Sequence, residues 1–400
     1  MQRNSIFNRY SFAGLGATLI GNGIGRFAYI ALMPALIQAG WFRVEDATYL
    51  GAATLIGYIF GAPAANFLIR HFRVGQVIRV AMLVSSLSYL GCAFQDAPLV
   101  WFYVLRTLAG VAGAMLMVLA PPIIVRMHSA KVKTRISGVV FSGIGLGAML
   151  SGTLIPLLIY HSVVSAWIGM GVVALVTTVL TWNAWGATEP LSGSRTAPAT
   201  FRNMSRSQGM TVLLILLAYT FNAIGYLPHT LFWVDYIVRE LGMTFVSGGL
   251  YWATFGIGAA IGPVLTGFLG DYAGVRRSLL IAFSLKALGV SLPLISSHPL
   301  ALFFSSLLVG IFTPGTVTLV STYTLESVGY ELHTKAWSAM TLSFAISQGV
   351  VGFMMAYYAA QLASYSVLFA VSASALVVSI ACILFTRPQQ GSEPVSQSVS

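Results

Sequence analysis

The sequence predicts an all-α polytopic membrane protein of twelve transmembrane helices, arranged as two pseudo-symmetric six-helix bundles. Three observations predict it. First, 57% of the 400 residues are hydrophobic and only 8% are charged, against about 25% charged in a soluble domain. Mean hydropathy is +0.84, more apolar than a soluble core requires. Second, twelve apolar runs reach the roughly 20 residues a helix needs to cross a bilayer. They are continuous, whereas a membrane barrel would alternate over about ten residues. Third, Lys and Arg collect in alternate loops, as cytoplasmic loops do.

The runs fall near 11–38, 47–69, 77–95, 99–126, 134–160, 163–186, 210–237, 245–270, 278–297, 299–327, 334–360 and 364–386. The opening MQRNSIFNRY leads into a run too long for a signal peptide, with no small-residue cleavage site, so it reads as a retained first span. With the N-terminus in the cytoplasm, only Arg43 and Arg239 fall on the outer side, and only Arg26, Arg106 and Lys286 within spans. The rest of the 21 basic residues lie inside, which places both termini in the cytoplasm. The same bias accounts for the +11 net charge without any nucleic-acid partner. Cys92 and Cys382 lie far apart in apolar runs and read as small buried hydrophobes.

Residues 187–209, rich in Ser, Thr, Pro, Gly and Arg, read as a cytoplasmic linker between bundles 1–186 and 210–387. Residues 388–400 read as a disordered cytoplasmic tail. The halves are alike at a shift of about 200. GNGIGRF in span one faces FNAIGYL in span seven, and Gly110 matches Gly310. GAPAANFLIRHFRVGQ lies over GPVLTGFLGDYAGVRR.

These features resemble the major facilitator superfamily over nearly the whole chain. Its signature after span two is matched in the second half by Gly267, Asp271, Gly274, Arg276 and Arg277. The first-half copy departs from it, with Arg70 where Asp271 stands. In span four, Arg106, Gly110 and Gly113 resemble the superfamily's Arg-x-x-x-Gly pattern, whose arginine is tied to proton coupling. Gly138, Gly143, Gly147 and Gly152 resemble the span-five motif of antiporters, without its Gly-Pro pair. The stretch GIGRFAY is similar to the YbfB/YjiJ-like branch. The resemblance implies a secondary transporter of the bacterial inner membrane, monomeric, with its substrate held between the bundles.

Arg26 is the first site candidate. It lies about 15 residues, or about 22 Å, along span one, too deep to snorkel, and insertion there costs roughly 2.5–3.5 kcal/mol. Gly21, Gly23 and Gly25 precede it and Pro34 follows, the interruption that marks transport sites. The alternative is a structural role at the kink. The expected substrate-binding set is Arg26, Asn22 and Tyr29 with Asn222, Tyr226, His229 and Gln348. Residues 222, 226 and 229 share one face of a continuous helix.

The coupling and gating set is Arg106, His229, Asp235, Asp271, Arg276 and Arg277. Arg106 is close enough to a span end to snorkel. Asp235 falls near the outer interface, where water would solvate it. His229 also reads as a neutral, hydrogen-bonded histidine, and Lys286 as a structural residue of a peripheral span. Gln348, Tyr323 and Thr318 also read as polar glue between helices.

The acids all fall in loops or near span ends, so the deep ionisable residues are cations. Such a cavity suits a small organic anion, a carboxylate metabolite, which guanidinium holds bidentately. Coupling to protons and exchange of one anion for another both remain open. The alternatives are efflux of amphiphilic drugs or neutral metabolites, and a non-transporting sensor or assembly partner. No phosphate-cradling loop, HExxH or grouped Ser, His and Asp appears, so neither ATP-driven transport nor an enzyme is expected. No cofactor and no metal site is expected. The partners expected are the lipid bilayer, the small anion and protons.

Overall fold

The computed structural model describes residues 5, 7–128, 132–187, 204–361 and 364–386. Among the described residues, twelve helices are long and apolar enough to cross a membrane. They are α1 (Arg9–Gln38), α2 (Val44–Leu68), α3 (Val74–Gly91), α4 (Leu99–Arg126), α5 (Arg135–Ile159) and α6 (Val163–Gly186). The second set is α7 (Arg206–Gly225), α8 (Phe245–Ala273), α9 (Val275–Ile295), α10 (Pro299–Gly329), α11 (Lys335–Gln361) and α12 (Ser366–Phe385). Most of the proposed linker and the whole proposed tail lie outside the described residues.

Large apolar side chains such as Phe67, Leu180, Phe268 and Phe385 are exposed. In water that surface would aggregate; in hydrocarbon it is the solvent-facing side. Hydrophobic burial cannot hold such helices together in lipid, so close packing must. Small residues supply it at equivalent places in the two halves. A Cβ on Gly57 would overlap the Thr107 carbonyl between α2 and α4, and one on Gly258 would overlap that of Leu307 between α8 and α10. Gly110 sits against the Thr54 carbonyl and Gly310 against that of Phe255. The repeat at a shift of about 200 is thus a repeat of contacts, not only of letters.

The halves touch along three seams. α5 crosses α8 glycine on glycine, with Gly145 against Gly256 and Gly152 against Gly249. α2 meets α11 toward the end away from the chain termini, where Thr48 donates to the Ala356 carbonyl at 3.3 Å. There the Tyr49 and Phe353 rings lie 4.9 Å apart. On α1, the Phe27 ring meets Trp252 edge-on at 5.7 Å.

Two helices depart from regular winding, both near the seams. α1 is π-helical from Leu19 to Ala28, a rare winding that clusters at functional sites. Side chains of α3 cover the carbonyls there: Tyr89 donates to Ile24 at 2.7 Å and Ser85 to Ile20 at 3.4 Å. α7 stops at Gly225, and short turns over Leu227–Leu231, Trp233–Asp235 and Tyr236–Glu240 follow. The expected continuous span over 210–237 is therefore interrupted at Tyr226 (φ −114°, ψ −1°) and Phe232 (φ −126°, ψ 0°). Pro228 sits just past the first break and removes a backbone donor there.

Candidate functional site

The π-helical stretch of α1 and the broken end of α7 face each other, and Arg26 lies between them. It is only 7% exposed. Its Nη1 donates to Gln348 Oε1 of α11 at 3.1 Å, and its Nη2 to the Tyr226 hydroxyl at 3.3 Å. That hydroxyl donates in turn to Gln348 Oε1 at 2.7 Å. The fold brings Arg26, Tyr226 and Gln348 into one hydrogen-bonded group, although 322 residues separate Arg26 from Gln348.

Lys286 of α9 closes the group from the other side. It is fully buried. Its Nζ donates to Asn222 Oδ1 at 2.9 Å and to the Phe312 carbonyl at 3.4 Å. It also sits 4.8 Å from the centre of the Tyr226 ring, with the Arg26 guanidinium carbon 5.7 Å from the same centre. One tyrosine thus lies between two cations. Among the described residues, α9 packs only on second-half helices, and it is the Lys286 side chain that reaches inward to Asn222. Tyr58 of α2 borders the group at Asn22. Nothing in its local sequence singled it out.

The group is polar and incompletely paired. Arg26 Nε, Gln348 Nε2 and Asn22 Oδ1 are buried without a hydrogen-bond partner. Buried polar atoms in proteins are nearly always paired, and each exception costs about 1–3 kcal/mol. The unpaired Nε of the fixed guanidinium and the unpaired Gln348 amide nitrogen are donors of the kind a carboxylate accepts from.

The other expected residues fall elsewhere. Arg106 does not snorkel: it is 1% exposed. It donates to Thr54 at 2.9 Å and lies over the rings of Tyr29 at 4.7 Å and Tyr89 at 5.3 Å. Tyr29 therefore belongs to the Arg106 group, and its hydroxyl is spent on the Ala47 carbonyl at 2.8 Å. His229 makes no hydrogen bond to Arg26, Tyr226 or Gln348, and its Nδ1 is buried without a partner. It stacks on Trp233 at 4.3 Å. The Ser305 hydroxyl is given to the Gly289 carbonyl, so His229 Nε2 donates to Ser305 Oγ, at 2.8 Å.

Asp235 is not solvated. It is wholly buried and takes two hydrogen bonds from Arg239, at 2.6 and 2.7 Å, and one from the Tyr365 hydroxyl. Glu240 accepts from Ser364 at 2.7 Å and from the Tyr365 amide at 2.8 Å. Together they fasten the last turns of the α7 segment to the start of α12. Asp235→Ala should therefore lower stability by about 2 kcal/mol, the worth of hydrogen bonds to a charge, read as an earlier thermal unfolding transition in detergent. An unchanged transition would show that the fastening is not structural.

Asp271 is exposed and makes no ion pair among the described residues. Arg276 instead donates to the Leu384 carbonyl at 2.8 Å and Thr386 Oγ1 at 3.2 Å, and Arg277 is exposed. No group of three or more His, Cys, Asp or Glu that could hold a metal occurs among the described residues.

Twelve helices in two matched sets, with a cationic group between them, define a membrane transporter of the major facilitator type. The chain belongs to the family described as uncharacterised MFS-type transporter YbfB, whose model matches residues 18–384. It is 24% identical over 330 residues to the gentisate transporter of Corynebacterium glutamicum, covering 76% of this chain and 72% of that protein. It is also 24% identical over 316 residues to the gallate transporter of Pseudomonas putida, covering 70% and 67%. The solved structure of the nucleoside transporter NupG matches with a TM-score of 0.74 at 10% identity, over 94% of this chain and 99% of that one. At that identity the likeness concerns the fold alone.

Proposed function

We propose that this chain carries a small aromatic carboxylate across the bacterial inner membrane by alternating access. The moving units are the bundles 1–186 and 210–387, joined by a cytoplasmic linker over 187–209, with both termini inside. One chain is the working unit. Arg26 holds the carboxylate, Gln348 and Tyr226 orient the guanidinium, and Lys286 with Asn222 faces the polar edge of the ring.

The observation that carries this reading is Arg26: a buried guanidinium between the halves, bonded only to neutral groups, with Nε unpaired. A carboxylate would satisfy it bidentately. The aromatic class is supported by two relatives named for gentisate and gallate, both hydroxylated benzoates, and by the Tyr226 and Phe344 rings stacked 5.9 Å apart beside the site.

The test is a thermal-shift screen of the purified protein against gentisate, gallate, benzoate, a lipophilic cation and a neutral nucleoside. A ligand that binds only the folded state stabilises it by about 2.7 kcal/mol at a hundred times its Kd. The aromatic anions should raise the transition by several degrees and the cation should not. Stabilisation by the cation alone would sink the anion reading.

A further inference from the structure

The site contains cations and nothing to balance them. Arg26 is bonded to Gln348 and Tyr226, and Lys286 to Asn222 and the Phe312 carbonyl. The ion pairs among the described residues, Arg43–Asp46 and Arg239–Asp235, lie beyond the ends of α1 and α7, away from this group. Arg26 cannot relieve the imbalance by losing its proton, since guanidinium stays charged at any physiological pH. Loss of a proton from Lys286 would still leave Arg26 charged. The other groups that could trade a proton are hydrogen-bonded elsewhere. His229 is held by Ser305 and Trp233, and Asp235 by Arg239 and Tyr365.

From this imbalance we infer that the chain is an obligate exchanger: its site changes sides only with an anion in it. Entry of one carboxylate is then tied to exit of another. The reason is desolvation. Switching sides requires both bundles to close over the site and expel water from it. A charge stripped of water without a counter-ion is heavily penalised. A bound carboxylate supplies the counter-ion that the chain lacks, so the loaded site crosses and the unloaded site stays where it is. A carrier that returns unloaded would need its own acid in the group formed by Arg26 and Lys286, and the described residues offer none. The inference rests on the anion-binding reading above.

The experiment uses the full chain in proteoliposomes with labelled gentisate outside. Half of the vesicles hold unlabelled gentisate and half hold buffer alone, with the membrane potential clamped and an inward proton gradient imposed. Loaded vesicles should take up label at least about tenfold faster, the selectivity expected from an uncompensated charge at mid-membrane. Uptake into buffer-filled vesicles within about threefold of the loaded rate would overturn exchange. If gentisate still stabilised the protein in that case, the anion-binding reading would stand alone. Absence of both stabilisation and uptake would overturn the two together.

Asn222→Asp tests the cause. It places a carboxylate where Lys286 Nζ already bonds, at 2.9 Å, and leaves Arg26 its ligand. The loaded-to-empty ratio should fall toward about one to three as the chain acquires its own counter-charge. A ratio unchanged from the native protein would overturn the electrostatic explanation.

Discussion

Arg26→Ala is expected to lower the affinity for an aromatic carboxylate by at least about thirtyfold while leaving the protein as stable as before, or more so. The two effects have one source. Truncating one partner of a buried charge pair costs roughly 2–5 kcal/mol in binding, and 1.4 kcal/mol is a factor of ten. In the protein alone, the same change removes a buried charge with no acid partner and an unpaired Nε, which relieves a desolvation cost. The variant should melt no earlier than native protein and show no shift with gentisate. Arg26→Lys keeps the charge but loses the fork, so it should recover part of the affinity and not all. The opposite pattern, early melting with gentisate affinity intact, would make Arg26 a structural residue of the α1 winding.

Gly145→Val should abolish transport while leaving each bundle folded. α5 is wedged between two neighbours. Its Gly143 and Gly147 receive α1 at Leu15 and Gly23, and its Gly145 and Gly152 receive α8. Only the second pair lies on the seam between the halves. A Cβ on Gly145 would overlap the backbone of Gly256 and Ala260, and backbone cannot rotate away as a side chain can. Overpacking of this kind costs about 1–3 kcal/mol, enough to move a conformational equilibrium by roughly ten- to a hundredfold. Gly209→Ala is the control, since a Cβ there meets open space. Uptake into loaded vesicles should fall to background for Gly145→Val and stay native for the control. Reactivity of a cysteine placed at Tyr49, on the α2–α11 seam, should rise in the valine variant. Native uptake with unchanged reactivity would show that this crossing does not limit the motion.

Most of the fold was legible in the sequence because lipid imposes simple rules. A helix must be long and apolar, and a charge within it stands out, which is why Arg26 could be picked from its setting alone. Its partners were partly legible: Asn222 and Tyr226 through the internal repeat, Gln348 as polar lining of a later span. What failed was the assumption of regular winding. A face argument over 222, 226 and 229 presumes continuous helix, whereas α7 stops at Gly225 and short turns follow, with His229 bonded to Ser305 and Asp235 buried against Arg239 rather than solvated. Lys286 lies on a span that, among the described residues, packs only within the second half, yet its long side chain reaches Asn222. Tyr29 was grouped with Arg26 by proximity in sequence, but Arg106, 77 positions on, claims its ring. Such pairings depend on how helices cross, which no local pattern records.

The π-helical stretch of α1 has a consequence for how far one residue can be trusted. Each π turn takes in a residue more between hydrogen-bonded partners than an α turn does, and one residue amounts to about 100° of rotation. The azimuth of Arg26 is therefore fixed by winding as much as by its place in the chain. Rewinding the stretch by a single residue would swing the guanidinium about 100° around the helix axis while the anchored segments on either side kept their seats. The helix that carries Arg26 thus sets the direction of its guanidinium by its winding, and that winding is pinned by the α3 bonds at Ile20 and Ile24 and by the close passage of Gly23 past Gly147.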